Sequence, residues 1–506
     1  MQNIQTSSRR QFIGSAIGAA GLTALPTWAK PIGANEDVRV AVIGFNARGQ
    51  GHISSLQKIK GVRIVALCDV DDKVMAKQVA SFKKQNIEVK QYKDFRECCA
   101  DKDIDAITIA TPNHSHTLIA MTGLANGKHV YVEKPVCHNP WEGRMMIEAA
   151  AKVPHLILQH GMQRRSDLGW AAVKSFLDEG SLGKVTLSRG LNYKMRASIG
   201  KVAAPMQPDA NGRIVGTFRN TDGSKKVEVD ADYKLWSAPR PMLPMQREQF
   251  HYDWHWQHAY GNGDIGNQGP HQLDVGAWML GNPGLPKQVM SLGGRWGYQD
   301  DGQTANNQLA FYDFASGPSL LFDNRGMPRS GLKWVKGFEP AYAATGLKIA
   351  NVVHCEGGMV AETKALDTEG KLIKKFEILD GPDHMKNFIA SIRAGKLVND
   401  NLSIIHGYNA AVLAQLGNVS YQLGKKMSTD EIKERLSGDK AGLETFENFV
   451  ANLEANTIDL KAEQVVMGPA LGFDPQTEKF TGEFAAEANK LLEGQYAEGF
   501  ELPKVG

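Results

Sequence analysis

The 506-residue sequence is poor in cysteine, and its five (Cys68, Cys98, Cys99, Cys137, Cys355) are odd in number with no CxxC spacing. That excludes a disulfide framework and leaves core or surface thiols, in keeping with folding in a reducing compartment. A charge excess of one sign is also missing. A formal net charge of +3, with no Lys/Arg stripe interleaved with aromatics, gives no footprint for nucleic acid. No stretch is apolar for long enough to be a stable membrane span. Internal repeats and low-complexity tracts are absent. What remains, 42% hydrophobic and 22% charged, is the composition of a soluble globular protein of roughly three domains.

The N-terminus carries an address. Ser8-Arg9-Arg10-Gln11-Phe12-Ile13 precedes an apolar region, Ile13–Leu25, and small residues ending at Thr27-Trp28-Ala29. This reads as a twin-arginine export signal over residues 1–29, followed by a linker over 30–37. The apolar part is too short and too rich in Gly and Ala to stay as an anchor. The expected partner is the twin-arginine translocation machinery, and the expected location is the periplasm or another exported site.

The rest of the chain is organised around residues 38–69. Val38–Ile43 is a β-branched apolar run of the kind found in buried parallel strands. It enters a glycine-punctuated turn, Gly44 to Gly51, that opens a helix. A second run, Arg63–Cys68, ends at Asp69. Strand, glycine turn, helix, strand and acid form a dinucleotide-binding unit: backbone approaches a pyrophosphate at the helix N-terminus, and the acid accepts hydrogen bonds from a ribose. The fingerprint departs from GxGxxG at its second glycine, where Asn46 stands. Asn tolerates positive φ, so the turn is expected to survive the exchange. Asp69 favours NAD over NADP because a carboxylate repels a 2′-phosphate; Arg48 in the turn leaves NADP open. Cytosolic folding followed by export implies that the cofactor is tightly bound.

Alternating helices and strands continue through Val74–Lys84, Asp105–Ala110, His116–Asn126, Lys128–Val132, Trp141–Lys152 and Leu156–His160. The pattern predicts an α/β domain over 38–160, a doubly wound parallel sheet with ligands at the carboxyl ends of its strands. Two polar clusters lie at such ends: Thr111-Pro112-Asn113-His114-Ser115-His116, and Glu133-Lys134-Pro135. Over 161–425 the order changes. Leu168–Asp178 is a predicted helix and Lys184–Asn192 a strand, and Ala197–Pro244 is loop-like. An aromatic and histidine cluster follows at His251–Tyr260, then a glycine-rich turn at Gly261–Pro270 and a helix at His271–Leu280. Strands without intervening helices come next, the mark of an antiparallel sheet in an α+β domain. Residues 426–506 read as a helical and extended tail, begun by a capping box at Ser428.

A Rossmann domain with Glu133-Lys134-Pro135 after its fifth strand and a mixed domain beyond resembles the Gfo/Idh/MocA oxidoreductases, from Val38 to about Lys425. The resemblance implies hydride transfer between a nicotinamide cofactor and a carbinol carbon of a sugar, sugar derivative or polyol. It gives the catalytic positions to Lys134 and His271, with Asn267 where the family usually has an acid. The cofactor positions fall on Gly44, Asn46, Arg48, Gly49, Asp69, Thr111, Asn113, His116, Glu133 and Lys134. The substrate positions fall on Trp254, His255, Asp264 and His271. Pro135 is expected to be cis, and the resemblance, not the sheet itself, implies a homo-oligomer. Two other readings compete: a redox-neutral glycoside hydrolase that recycles bound NAD⁺, and a non-catalytic nucleotide-binding regulator. His114 and His116 form an H-x-H pair with no second pair at ligand spacing, so no metal is expected. Tyr252, Trp254, Trp256 and Tyr260 are expected to form an aromatic wall for sugar C–H faces.

Overall fold

Six parallel strands in the order β3-β2-β1-β4-β5-β6 build the first layer of the protein, seen in a computed structural model that describes residues 37–219, 226–327, 349–378 and 384–506. They are β1 (Val38–Ile43), β2 (Val62–Cys68), β3 (Lys90–Tyr92), β4 (Ala106–Ile109), β5 (His129–Val132) and β6 (Leu158–His160). Between them run α1 (Arg48–Leu56), α2 (Asp72–Lys84), α3 (Phe95–Ala100), α4 (His116–Ala125) and α5 (Pro140–Lys152). This is the doubly wound order whose switch point lies between β1 and β4. The apolar runs are strands because both sheet faces are covered: Val38, Val40 and Val42 pack on one side, Ala41 and Ile43 on the other. The third strand has only three residues and no apolar run, which is why its position was not legible in the sequence.

After α6 (Leu168–Asp178) the chain enters a mixed sheet through β7 (Val185–Asn192). Ala197–Pro244, expected as loop, instead contains a hairpin, β8 (Arg213–Arg219) with β9 (Lys226–Asp232), and a short helix α7 (Tyr233–Ser237). In β8 the alternation is blurred because Gly216 stands between Ile214 and Phe218 on the inward face and Val215 on the exposed one. By contrast β9 alternates cleanly, with Val229 and Ala231 facing inward, but lies in a stretch rich in Gly, Pro and Asp. The expected glycine-rich turn at 261–270 is likewise helical: α8 (Gly263–Asn267) meets α9 (Gly269–Met279) at Gln268. The large sheet continues with β10 (Gln288–Gly294), β11 (Asn307–Asp313), β12 (Ser319–Arg325), β13 (Ile349–Cys355) and β14 (Gly358–Ala361). Its pairs are antiparallel except β7 with β12. Helices span His384–Ala394 and Ile404–Gln422, and Ser428 and Glu431 form the expected capping box.

All five cysteines are free thiols. No described helix is long and apolar enough to cross a membrane. The signal-like segment lies outside the described residues.

Candidate active site and cofactor cleft

A cleft opens at the carboxyl ends of β1, β2, β4 and β5, where a doubly wound sheet places its ligand. Its floor is the turn after β1. Gly44 has φ +76°, and a Cβ there would meet the Thr111 backbone nitrogen and methyl at 2.8 Å. A Cβ on Gly49 would sit 2.1 Å from the Gly44 carbonyl oxygen. Both glycines are therefore needed, one for backbone hand and one for close approach. Asn46 lines the cleft, exposed, and is not among the residues with positive φ. The left-handed tolerance expected of it is not used, because Gly44 already supplies the reversal.

Asp69 lies where β2 ends. Its Oδ2 accepts from the Phe45 N–H (3.2 Å) and its Oδ1 from the Asp71 N–H (3.1 Å). Burial pushes its carboxyl up to about 6. Thr111 and Asn113, after β4, also line the cleft; the buried Asn113 Nδ2 has no protein partner. His116 is placed between two backbone carbonyls, Nδ1 at 2.7 Å from Pro135 O and Nε2 at 2.8 Å from Thr111 O. Its nitrogens brace the two strand-end loops, and only its ring is left to face a ligand.

Glu133, after β5, is buried and heavily engaged. It accepts from Arg48 Nε (2.6 Å) and the Lys134 N–H (3.1 Å), and pairs with His52 Nε2 (3.1 Å). Burial alone would raise its carboxyl; His52 and Arg48 outweigh burial and hold it well below the usual range. Arg48 thus binds Glu133 through its Nε while lining the cleft, half-exposed.

The Lys134–Pro135 peptide is cis, as expected. Lys134 points across the cleft to the second domain, donating from Nζ to Asn267 O (2.7 Å) and Oδ1 (3.2 Å). Burial lowers its ammonium to about 8. Asn267 ends α8, and His271 stands in the first turn of α9. His271 does not line the cleft itself. Burial, then the Lys134 and Arg164 cations, hold its imidazole well below the usual histidine range and keep it neutral.

The second domain supplies the opposite wall. His255 and Trp254 line it with rings stacked at 3.7 Å, and His255 Nδ1 lies 2.6 Å from Tyr252 O. Burial lowers His255 to about 3. Of the four aromatics expected there, Tyr252 and Trp254 face the cleft, whereas Trp256 and Tyr260 are buried away from it. Asp264 is not free to hold a substrate: it is fully buried and takes Arg196 Nε at 2.9 and 3.1 Å and an Arg196 terminal nitrogen at 2.7 Å. Arg196 also donates to the Tyr252 hydroxyl (3.0 Å). No local motif marks Arg196; its partners are 56 and 68 residues away. His114 points away, its Nε2 at 2.8 Å from Trp236 O. Among the described residues no three His, Cys, Asp or Glu side chains gather as metal ligands.

Comparison with known proteins adds to this geometry. Residues 38–160 match the family described as "Oxidoreductase family, NAD-binding Rossmann fold". This segment is a Gfo/Idh/MocA Rossmann domain. Inositol 2-dehydrogenase of Salmonella typhimurium is 30% identical over 157 residues, 31% of this chain and 46% of that enzyme. The chain thus spans about half the length of the curated relatives it matches. Among solved structures, myo-inositol dehydrogenase of Lactobacillus casei with NAD(H) and myo-inositol aligns at TM-score 0.50 and 18% identity, covering 76% of this chain and 95% of that one. Levoglucosan dehydrogenase with NADH and levoglucosan aligns at TM-score 0.51 and 16% identity, covering 75% and 95%. These likenesses extend the fold assignment from the Gfo/Idh/MocA domain into the second domain.

Residues of the Gfo/Idh/MocA domain fit a nicotinamide dinucleotide. Gly44 and Gly49 let the turn after β1 close tightly beneath the cleft, the Asn113 Nδ2 that lines it lacks a partner, and Asp69 offers a ribose acceptor.

Proposed function

We propose that the protein is an exported NAD-dependent oxidoreductase acting on a carbinol carbon of a polyol, sugar or sugar derivative. One observation carries the reading: a lysine shifted by burial to about 8 lies between the dinucleotide cleft and the second domain. A neutral amine has two N–H donors and one lone pair. With both donors directed to Asn267 O and Oδ1, the lone pair is left for the proton of a substrate hydroxyl. His271, the histidine that the resemblance points to, is neutral and stands one turn beyond Asn267, outside the lining of the cleft. The bound nicotinamide supplies the hydride acceptor. Tyr252, held by the Arg196 that Asp264 fixes, and the stacked Trp254–His255 pair give the substrate a rigid wall.

The export reading rests on the twin-arginine pattern at Ser8–Ile13, and it makes a tightly bound cofactor the economical arrangement. Denaturing the purified protein should release nicotinamide dinucleotide in stoichiometric amount. Polyols, beginning with myo-inositol because the relatives' names point there, should change absorbance at 340 nm. Glycoside cleavage without net absorbance change would favour the redox-neutral hydrolase instead.

A further inference from the structure

The turn between β2 and α2 is where a Rossmann domain meets the ribose of its cofactor. Here the second domain grips that turn. Asp71 is wholly buried, and it accepts from the Lys73 N–H (2.9 Å) and the Asp230 N–H (3.3 Å) and pairs with His251 Nε2 at 2.9 Å. The Asp232 N–H donates to Val70 O at 3.0 Å. Asp71 and Ala231 form an antiparallel bridge, and Arg213 donates to Asp72 at 2.7 Å. The gripping residues belong to the hairpin β8–β9 and to the segment after α7. His251 lines the cleft together with Asp69 and Val70, at the ribose end.

We infer that this hairpin and His251 form a cofactor latch, and that His251, positioned by Asp71, is a ribose contact contributed by the second domain. Nε2–H donates to the Asp71 carboxylate, so Nδ1 is the ring atom available to a ribose hydroxyl. Asp69 accepts from one side and His251 closes the other. A dinucleotide then leaves only after the hairpin lets go of Asp71, so exchange is slow compared with turnover. The inference rests on the NAD-binding reading above and adds what holds the cofactor in.

The test is release of NADH from the full chain, followed by loss of its fluorescence on dilution into excess NAD⁺. His251→Ala and Asp71→Asn should each speed release about tenfold or more, the effect of a lost charge-assisted hydrogen bond. His251→Gln, which keeps a donor toward Asp71, should recover part of the difference. In the unaltered protein, NADH should increase hydrogen-exchange protection of the Asp230 and Asp232 amides, a readout independent of how the variants fold. A protein that binds NADH yet shows no gain in that protection, or releases it equally fast in His251→Ala, overturns the latch and leaves the oxidoreductase reading standing. A protein that binds no dinucleotide at all overturns both.

Discussion

The two walls of the cleft are built by different means. On the Rossmann side every group that matters sits within a few residues of a strand end, and backbone geometry does most of the placing: Gly44 by its φ, Gly49 by close approach, Lys134 by its station just after β5. On the other side the groups are placed by partners far away in sequence. Asp264 fixes Arg196, Arg196 fixes Tyr252, and Asp71 fixes His251 across 180 residues. A wall made of strand ends tolerates change everywhere except at its few special positions. A wall made of buried pairs fails whenever either partner is lost.

The sharpest break in the comparison is at Lys134, the point where the Rossmann side reaches across. Lys134→Ala should reduce kcat by about 10²–10⁴-fold, the contribution of a positioned proton acceptor. NADH binding, read by fluorescence, should persist. Loss of both together would mean that Lys134 holds the cofactor rather than serving the proton.

Next comes the buried pair. Arg196→Ala leaves Asp264, fully buried, without its counter-charge, and removing one partner of such a pair costs about 3–5 kcal/mol. A large fall in melting temperature is expected, whereas Arg48→Ala, removing a half-exposed partner of Glu133, should cost less. Equal losses from the two would erase the distinction between the walls.

This difference also explains what could be read before the fold was seen. Val38–Ile43 and Leu168–Asp178 coincide with predicted elements because burial on both faces or one stripe leaves a short-range pattern. The hairpin β8–β9 was missed for two reasons: in β8 an inward Gly216 and an exposed Val215 blur the alternation, and the alternation that β9 does carry sits in a stretch whose Gly, Pro and Asp content reads as loop. Among site residues, Gly44, Gly49, Asp69 and Lys134 were legible from local chemistry; Gly44, Asp69 and Lys134 line the cleft, and Gly49 packs beneath the turn against the Gly44 carbonyl. Arg196 and Asp71 were not, because nothing near them in sequence names their partners. Asp264 was legible as important but not as an ion-pair partner, and the pairing of Arg48 with Glu133, 85 residues away, left no local sign.

A finer probe moves charge without moving shape. The Lys134 ammonium, lowered by burial to about 8, loses its proton as pH rises through that value. If the neutral amine accepts the substrate proton, kcat/KM for oxidation rises with pH and levels off above about 8. Asn267→Asp puts a carboxylate against Nζ, favours the charged amine, and should move that rise upward by about one unit or more. A profile that falls through the same range would give Lys134 the opposite role, a cation stabilising the alkoxide.

The smallest expected effect lies in the turn itself. Asn46 stands where dinucleotide fingerprints carry their second glycine, a position where a side chain crowds the pyrophosphate. In this chain the residue is exposed and needs no left-handed backbone, so the turn is not strained by it. Asn46→Gly removes the side chain but frees the backbone, two effects that oppose each other. The dissociation constant for NADH should therefore change by no more than about twofold to threefold, in line with an exposed substitution. A change of tenfold or more toward tighter binding would show that Asn46 narrows the cradle. A comparable loss would show that its amide is a pyrophosphate donor, and the Rossmann wall would then rely on a side chain where local backbone geometry is held to suffice.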